Sequence, residues 1–259
     1  VEGARNFATK IWNAARFCEM NSCPFGTEFN PRHISQTVNR WIIGELVNCS
    51  NKMNRELDIF RFNDAAQTIY QFVWGTYCDW YLEFAKPLLS HKNENIKTET
   101  QNTAAWLLEQ VLTLLHPFMP FITEELYQRL ISGGHKQLIL GRWPSFELDL
   151  RDENTANEID WVIRLITGVR SVRSEMNVPA GAKIPAIILG LGEKDRGWFL
   201  EHEKLICQLA RISDVSTNGS IPSDAVQLVH DNATIFLPLA GVIDLDAEKN
   251  RIDKEMKKA

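Results

Sequence analysis

The chain has 259 residues, of which 44% are hydrophobic and 24% are charged, so it is long enough to bury one or two cores. The formal net charge of −5 argues against a protein that binds polyanions through bulk charge, although an acidic total leaves room for a local basic face. The sequence contains no run of about 18 apolar residues, so we expect no membrane span. It starts without Met and stops inside a helical pattern, which indicates a piece of a longer protein.

The stretch RNFATKIWNAARF, residues 5–17, predicts an amphipathic helix because Phe7, Ile11, Ala14 or Ala15, and then Cys18 recur at spacings of three and four. Its other face carries three positive charges and two asparagines that helix propensity does not favour. The residues of that face are Arg5, Asn6, Lys10, Asn13 and Arg16. This face either is simply solvated or contacts an anionic partner.

Further amphipathic helices are predicted up to residue 134. Their approximate ranges are 35–60, 64–86, 100–116 and a last one that starts after Pro120 and closes at 132–134. We expect Ser35 to cap the first of them, Asn63 or Asp64 to cap the second, and Pro87 to end it. Residues 89–101 read as an exposed loop. Long helices with short connections predict an antiparallel bundle.

The pattern changes after residue 150. Residues 137–153 predict an irregular crossing segment, and a helix is expected at about 154–177, with Arg170 and Arg173 on its polar side. A small α/β module then follows at about 180–243. Its expected elements are a strand at 184–189 placed at a sheet edge by Pro185, a helix at 196–211, a strand near 214–218 and a hairpin that turns at Asp231–Asn232. From Leu245 the spacing favours the start of a coiled coil.

Catalytic and metal signatures are missing from the sequence. It has no glycine-rich loop before a helix, no GxSxG and no HExxH, and the five cysteines form no CxxC pair, so we expect free thiols in a reducing cytosol and no structural zinc. His116 precedes a proline at a helix break and reads as a capping or hydrogen-bonded histidine. Two aromatic stretches, residues 78–87 and 116–127, read mainly as core, although one exposed ring in them would be able to stack on a base.

Four stretches together carry a family resemblance. They are RNFATKIWNAARF (5–17), VNRWIIGEL (38–46), WYLEFAKP (80–87) and HPFMPFITEELYQRL (116–130). In order and spacing they resemble the C-terminal part of the valyl-tRNA synthetase family, and RSVRSEMNVPAG (170–181) is similar to the segment that follows there. The first stretch is the more valine-specific one, because isoleucyl and leucyl enzymes share relatives of the fourth.

The resemblance implies an architecture. It is a mainly α fold: an antiparallel helical bundle of the class I synthetase anticodon-binding type in residues 1–150, a connecting helix and small α/β module in 151–243, and the truncated start of a coiled-coil arm in 244–259. The family's nucleotide-binding motifs and editing domain would precede this chain. ATP and Mg²⁺ are therefore expected only in a separate catalytic domain, and this chain is expected to have no catalytic activity and no metal of its own.

The resemblance also implies a partner, the anticodon stem-loop of tRNA-Val, and a monomeric parent enzyme. On that basis Arg5, Lys10 and Arg16 would neutralise phosphates, Asn6 and Asn13 would bond the edges of splayed bases, and Trp12 or Phe17 would stack. Further RNA-binding candidates are Trp80, Lys86, Arg170 and Arg173. The competing interpretation has Lys10 and Arg16 as solvated charges, Asn13 as the cap of a neighbouring loop, and Arg170 and Arg173 as domain-docking residues.

Three other functions stay open on the sequence. One is the same region of an isoleucyl- or leucyl-tRNA synthetase. Another is a non-catalytic helical scaffold for protein interactions, whose binding would be nearly insensitive to salt, whereas RNA binding weakens as salt rises. A free-standing enzyme is the most distant possibility, because no catalytic constellation is visible.

Overall fold

A computed structural model of the chain describes residues 2–131, 137–222, 225–240 and 242. The chain divides into two compact units, residues 1–159 and residues 160–259. The division falls inside one helix, α7 (Glu153–Glu175), and the two units are described in turn. No helix among the described residues is long and apolar enough to span a bilayer.

The N-terminal unit is helical. Its helices are α1 (Glu2–Met20), α2 (Thr37–Asp58), α3 (Phe62–Gln71), a π-helix (Phe72–Tyr81), α4 (Leu82–Leu89), α5 (Glu94–Leu115) and α6 (Pro120–Leu130). The α3, π and α4 segments follow one another without a break, and Pro87 lies inside α4, so the expected end at Pro87 is wrong by two residues. Residues 137–153 are irregular, as predicted, apart from two short 3-10 turns at Leu138–Leu140 and Leu148–Leu150 and the first residue of α7.

The apolar stripes read from the sequence form the core of this unit. Phe7 and Ile11 of α1 are buried, and so are Val73, Tyr77 and Tyr81 of the π-helix. The buried stripes of α2 and α5 face the same core, with Ile42, Leu46, Leu107, Leu108 and Val111 at 0% exposure. Phe60, the last residue of the helix predicted at 35–60, lies outside α2 and is 77% exposed, because the backbone turns into the left-handed region there, with φ of 60°.

Three helix starts differ from expectation, for local and non-local reasons. Helix α5 begins at Glu94 rather than near 100, because the Asn93 side chain caps it by accepting a hydrogen bond from the Asn95 amide at 2.9 Å. Asp64 does not cap α3 but pairs with Arg61. Ser35 does not cap α2 either, as that role is taken by a carboxylate from another helix.

That carboxylate belongs to Glu99 of α5. It accepts hydrogen bonds from the backbone amides of Ser35 and Gln36, both at 2.9 Å, and from the Asn39 side chain at 3.0 Å. Burial alone would raise the pKa of Glu99, but these hydrogen bonds, together with one from the Ser35 hydroxyl, outweigh it and lower the pKa. The start of α2 is thus fixed by a partner 60 or more residues away in sequence.

The C-terminal unit combines α7 (Glu153–Glu175) beyond residue 159 with α8 (Glu193–Ala210) and a four-stranded mixed sheet. The strands are β1 (Ile184–Leu189), β2 (Ile212–Ser216), β3 (Ala225–His230) and β4 (Ala233–Pro238), in the order β2-β1-β4-β3. Strands β1 and β2 are parallel, and the other pairs are antiparallel. The hairpin turn at Asp231–Asn232 is confirmed, with Asp231 at a φ of 50°.

The edge position predicted for β1 is wrong. Strand β1 lies between β2 and β4, and its register with β2 is irregular between Ile184 and Ala186, on either side of Pro185. Proline lacks an amide proton, and a local irregularity of this kind accommodates it in an inner strand. The predicted coiled coil, from residue 244 onward, lies outside the described residues.

Candidate nucleic-acid interface

One side of α1 is open to solvent along its whole length. Helix α1 buries Phe7, Ile11, Ala14, Ala15 and Cys18. The opposite side exposes a row that we call the α1 strip, namely Arg5, Asn6, Thr9, Asn13, Arg16 and Met20, with the exposed Glu2 preceding it on the same face. Four of the predicted RNA-binding residues therefore lie together on one accessible surface.

The two arginines of the strip are free of acidic partners. Within the described part of the chain, neither Arg5 nor Arg16 forms an ion pair, and Asn13 makes no hydrogen bond to a neighbouring loop. Both charges are exposed, so both guanidinium groups are available to an anion. A guanidinium presents a planar fork of donors that suits phosphate oxygens. The two arginines can bind phosphates of one chain, and the asparagines then face the groups that lie between those phosphates.

Lys10 borders the strip on one side and is engaged within the protein. Its ammonium forms an ion pair with Asp79 and lies 4.5 Å from the centre of the Trp74 ring. Both partners belong to the π-helix, so Lys10 attaches α1 to that segment. The predicted candidate Trp80 follows Asp79 directly; its half-buried ring packs against Phe84 with centroids 5.6 Å apart.

Trp12 borders the strip on the other side. The Arg129 guanidinium lies 5.2 Å from the centre of the Trp12 ring and also holds both carboxylate oxygens of Glu19 at 2.9 Å. Trp12 and Phe17 are both half-buried. The predicted stacking role of Trp12 is thus limited by the arginine against its ring.

The remaining candidates lie elsewhere. Lys86 is exposed on α4 and pairs with Glu83. Arg170 is exposed in the C-terminal unit and donates to the carbonyl of Leu209 at 3.0 Å. Arg173 is only 6% exposed.

Arg173 is a structural residue of the C-terminal unit. Its guanidinium donates to the carbonyls of Ala182 at 2.8 Å, Pro179 at 3.2 Å and Arg211 at 3.5 Å. Burial lowers the pKa of this arginine. Because its donors are turned to backbone carbonyls, the position of Arg173 does not support the predicted phosphate contact, and we leave it out of the interface.

Sequence reasoning missed the residues that border the strip. Trp74, Asp79, Glu19 and Arg129 hold Lys10 and Trp12 in place, but Asp79 is 69 residues from Lys10 and Arg129 is 110 residues from Glu19. No local pattern links such pairs. Thr9 and Met20 were also overlooked, although their spacing of 4 and 15 residues from Arg5 places them on the same helix face.

The aromatic stretch at 116–127 contributes one exposed ring. Phe121, at the start of α6, is 91% exposed. It lies at a cavity of about 620 Å³ whose other walls include Phe7 and Ala8 of α1 and Tyr70 of α3. His116 is hydrogen-bonded, as expected, with Nδ1 2.8 Å from the Thr123 hydroxyl. Among the described residues, no group of three or more His, Cys, Asp or Glu side chains is arranged to hold a metal ion.

Comparison with known proteins places the chain in a family. Residues 39–188 match the profile described as the anticodon-binding domain of tRNA ligase. The chain is 45% identical over 258 residues to a valine–tRNA ligase of Brucella suis biovar 1, which covers 98% of this chain and 28% of that protein.

Other relatives give the same result. The valine–tRNA ligase of Zymomonas mobilis is 43% identical over 98% of this chain, and that of Agrobacterium fabrum is 42% identical over 100% of it. The chain spans only 29% and 27% of the length of these two proteins. Because the family profile matches more than half of the chain, the chain belongs to the anticodon-binding domain family of tRNA ligases.

Proposed function

We propose that this chain is the tRNA-recognition part of a valine–tRNA ligase, the enzyme that uses ATP to attach valine to tRNA-Val. The names of the relatives support this assignment, since each is a valine–tRNA ligase matched over nearly the whole chain. In this proposal catalysis and editing, with ATP and Mg²⁺, belong to other domains of the enzyme. This chain recognises RNA and carries out no chemistry of its own.

The partner proposed here is the anticodon stem-loop of tRNA-Val, and the α1 strip is its binding surface. Arg5 and Arg16 contact phosphates, which fix the register of the loop without reading its sequence. Asn6 and Asn13 bond the edges of unstacked loop bases, which is how single-stranded RNA is usually read. The observation that carries this proposal is a pair of exposed arginines that flank the asparagines on one helix face and form no ion pair with any described residue.

The other candidates take supporting roles. Lys10 and Trp12 position the two borders of the strip, and Phe17 closes its C-terminal end. Trp80 and Lys86 lie on the segments that follow the Lys10 anchor and contact the outer part of the loop. Arg170 supplies a phosphate contact from the C-terminal unit. The finer architecture proposed is an antiparallel bundle of the class I synthetase type, in a monomeric cytosolic enzyme.

The negative net charge of the chain sets the expected strength of binding. Arg5 and Arg16 supply two phosphate contacts, each worth a salt slope of roughly −0.7 on single-stranded RNA. The isolated chain therefore binds weakly. Most of the affinity of the full enzyme comes from several tRNA contacts acting together through effective concentration.

Fluorescence anisotropy with a labelled tRNA-Val anticodon stem-loop at two salt concentrations tests the proposal. Arg5→Ala/Arg16→Ala should weaken binding and make the slope of log K against log salt shallower by roughly 1.4, the share of two contacts. The matched control is Arg55→Ala/Arg196→Ala, which removes the same charge from exposed sites on α2 and α8. Equal losses in the two double variants would show that only total charge matters and would contradict the α1 assignment.

A further inference from the structure

A second cavity, separate from the α1 strip, lies where α5 ends and α6 begins. Its volume of about 400 Å³ falls within the range of small-molecule sites. The indole of Trp143, the side chain of Ile139 and the rings of Pro117 and Pro120 give it flat, apolar walls. His116 and Thr113 are its polar residues.

The hydrogen bonds around His116 determine which of its ring nitrogens carries the proton. The Thr123 hydroxyl gives its single proton to a backbone carbonyl, that of Met119 at 2.8 Å. The same oxygen lies 2.8 Å from Nδ1 of His116, and because its proton is used by the Met119 carbonyl we assign it as the acceptor there and place the ring proton on Nδ1. Nε2 then carries a lone pair, and it has no hydrogen-bond partner among the described residues.

Thr113 is also an acceptor toward the cavity, because its hydroxyl proton is donated to the carbonyl of Glu109 at 2.8 Å. Two donors nearby are already used. The Trp143 indole N–H donates to Asn54 Oδ1 at 2.7 Å, and the Gly141 amide donates to the Leu138 carbonyl at 2.8 Å. Proline has no amide proton to offer. The cavity therefore combines flat apolar walls with side chains that accept hydrogen bonds.

We propose that this cavity binds a single nucleobase that carries an amino group at purine position 6 or pyrimidine position 4, adenine or cytosine, stacked on Trp143. The amino group donates to Nε2 of His116 or to the Thr113 hydroxyl. Uracil presents a carbonyl at position 4 and guanine presents one at position 6, and an acceptor facing the acceptors of the cavity leaves both groups without a partner. This site rests on the proposed RNA-binding function and adds a base-specific contact outside the α1 strip.

Titration of the ¹⁵N-labelled 259-residue chain with adenosine, cytidine or uridine tests the site, with the Trp143 indole N–H as reporter. Adenosine and cytidine should shift that resonance and bind at least about fivefold more tightly than uridine. Trp143→Ala should weaken adenosine binding about tenfold, the scale of a lost base stack. His116→Phe should abolish the preference over uridine, whereas the control His33→Phe, at an exposed histidine, should keep it.

Thr113→Val supplies a second test if His116→Phe does not fold, and it should reduce the preference by about threefold. Equal binding of all three nucleosides, or an unchanged preference in both variants, would overturn the proposal. Arg5→Ala/Arg16→Ala should leave nucleoside binding intact. If nucleosides fail to bind while the stem-loop binds through α1, only the cavity proposal is wrong. If nucleosides bind the cavity while the stem-loop does not bind through α1, only the proposed α1 function is wrong.

Discussion

The ammonium group of Lys10 lies 4.5 Å from the centre of the Trp74 ring and pairs with Asp79 on the same π-helix. A lysine that sequence patterns place among RNA-binding residues is thus engaged within the protein. Its main effect is to hold α1 against its neighbour and to set one border of the α1 strip. The free positive charges of the strip are those of Arg5 and Arg16.

Lys10→Met should lower the free energy of unfolding by about 1 kcal/mol, the combined scale of an exposed cation–π contact and a surface ion pair. It should weaken stem-loop binding less than Arg5→Ala does. Urea denaturation and anisotropy measure the two effects. Lys97→Met is the matched control, because Lys97 has a surface ion pair with Glu94 but no ring contact in the described structure. A loss of stability in the control equal to that of Lys10→Met would contradict the contribution of Trp74.

Glu99→Ala should lower the free energy of unfolding by about 2–3 kcal/mol, because it removes the cap of α2 and leaves one of the two side-chain N–H donors of the buried Asn39 without its acceptor. Glu94→Ala changes an exposed glutamate of the same helix, and it should lower the free energy of unfolding by only a few tenths of the loss caused by Glu99→Ala. Chemical denaturation at neutral pH measures both. Equal costs would show that the bonds from Glu99 to α2 contribute nothing to stability.

The Glu99 contribution should also depend on pH. Its pKa is lowered in the folded chain, so the stabilisation is present above the ordinary pKa of glutamate, about 4.3, and is lost as pH falls through the lower folded value. The stability difference between wild type and Glu99→Gln should therefore shrink in acid. A difference that stays constant from neutral pH to acid unfolding would contradict this linkage.

Arg173→Met should destabilise the C-terminal unit by about 1–3 kcal/mol, since it leaves three partly buried carbonyl contacts without their charged donor. Stem-loop affinity should not change at temperatures where the variant is folded. Hydrogen exchange followed by mass spectrometry locates the loss of protection, which should be confined to residues 160–240. Weakened RNA binding by a folded variant would restore the original phosphate-contact prediction.

The thiols should differ sharply in reactivity. Cys18, Cys23, Cys49 and Cys78 are buried, and burial raises the pKa of Cys49 and of Cys78 to about 12. Cys207 is half-exposed on α8. Alkylation of the native chain at mildly alkaline pH, read by mass spectrometry, should label Cys207 first because the thiolate is the reactive form. Labelling of Cys49 or Cys78 at the rate of Cys207 would contradict the packing of the helical core.

Sequence periodicity predicted the elements whose burial is set locally. The spacing of Phe7, Ile11 and Cys18 indicated the buried side of α1, and the Asp231–Asn232 pair indicated the hairpin turn. These features depend on residues close in sequence. By exclusion, the same helical spacing predicts the open side of α1, so helical periodicity alone is enough to locate four of the interface candidates.

Features that depend on distant partners were not predictable in this way. The Glu99 carboxylate at the start of α2 and the Lys10–Trp74 contact each join residues more than 50 positions apart. Pro185 led to the prediction of an edge strand, because proline cannot donate a hydrogen bond to a neighbouring strand. A local register irregularity nevertheless accommodates it in the inner strand β1. Arg173 looked like a surface charge because helix spacing does not reveal the carbonyls that surround it.

The most direct test of the central claim is selectivity at the base-reading positions. The measurement is the ratio of affinities for valine and isoleucine anticodon stem-loops, in wild type and in Asn6→Ala/Asn13→Ala. The account predicts that wild type prefers the valine loop and that the asparagine variant loses this preference while keeping its salt dependence, because Arg5 and Arg16 remain. A wild-type chain that binds both loops alike, or an asparagine variant that keeps the full preference, would contradict the claim that α1 reads the anticodon.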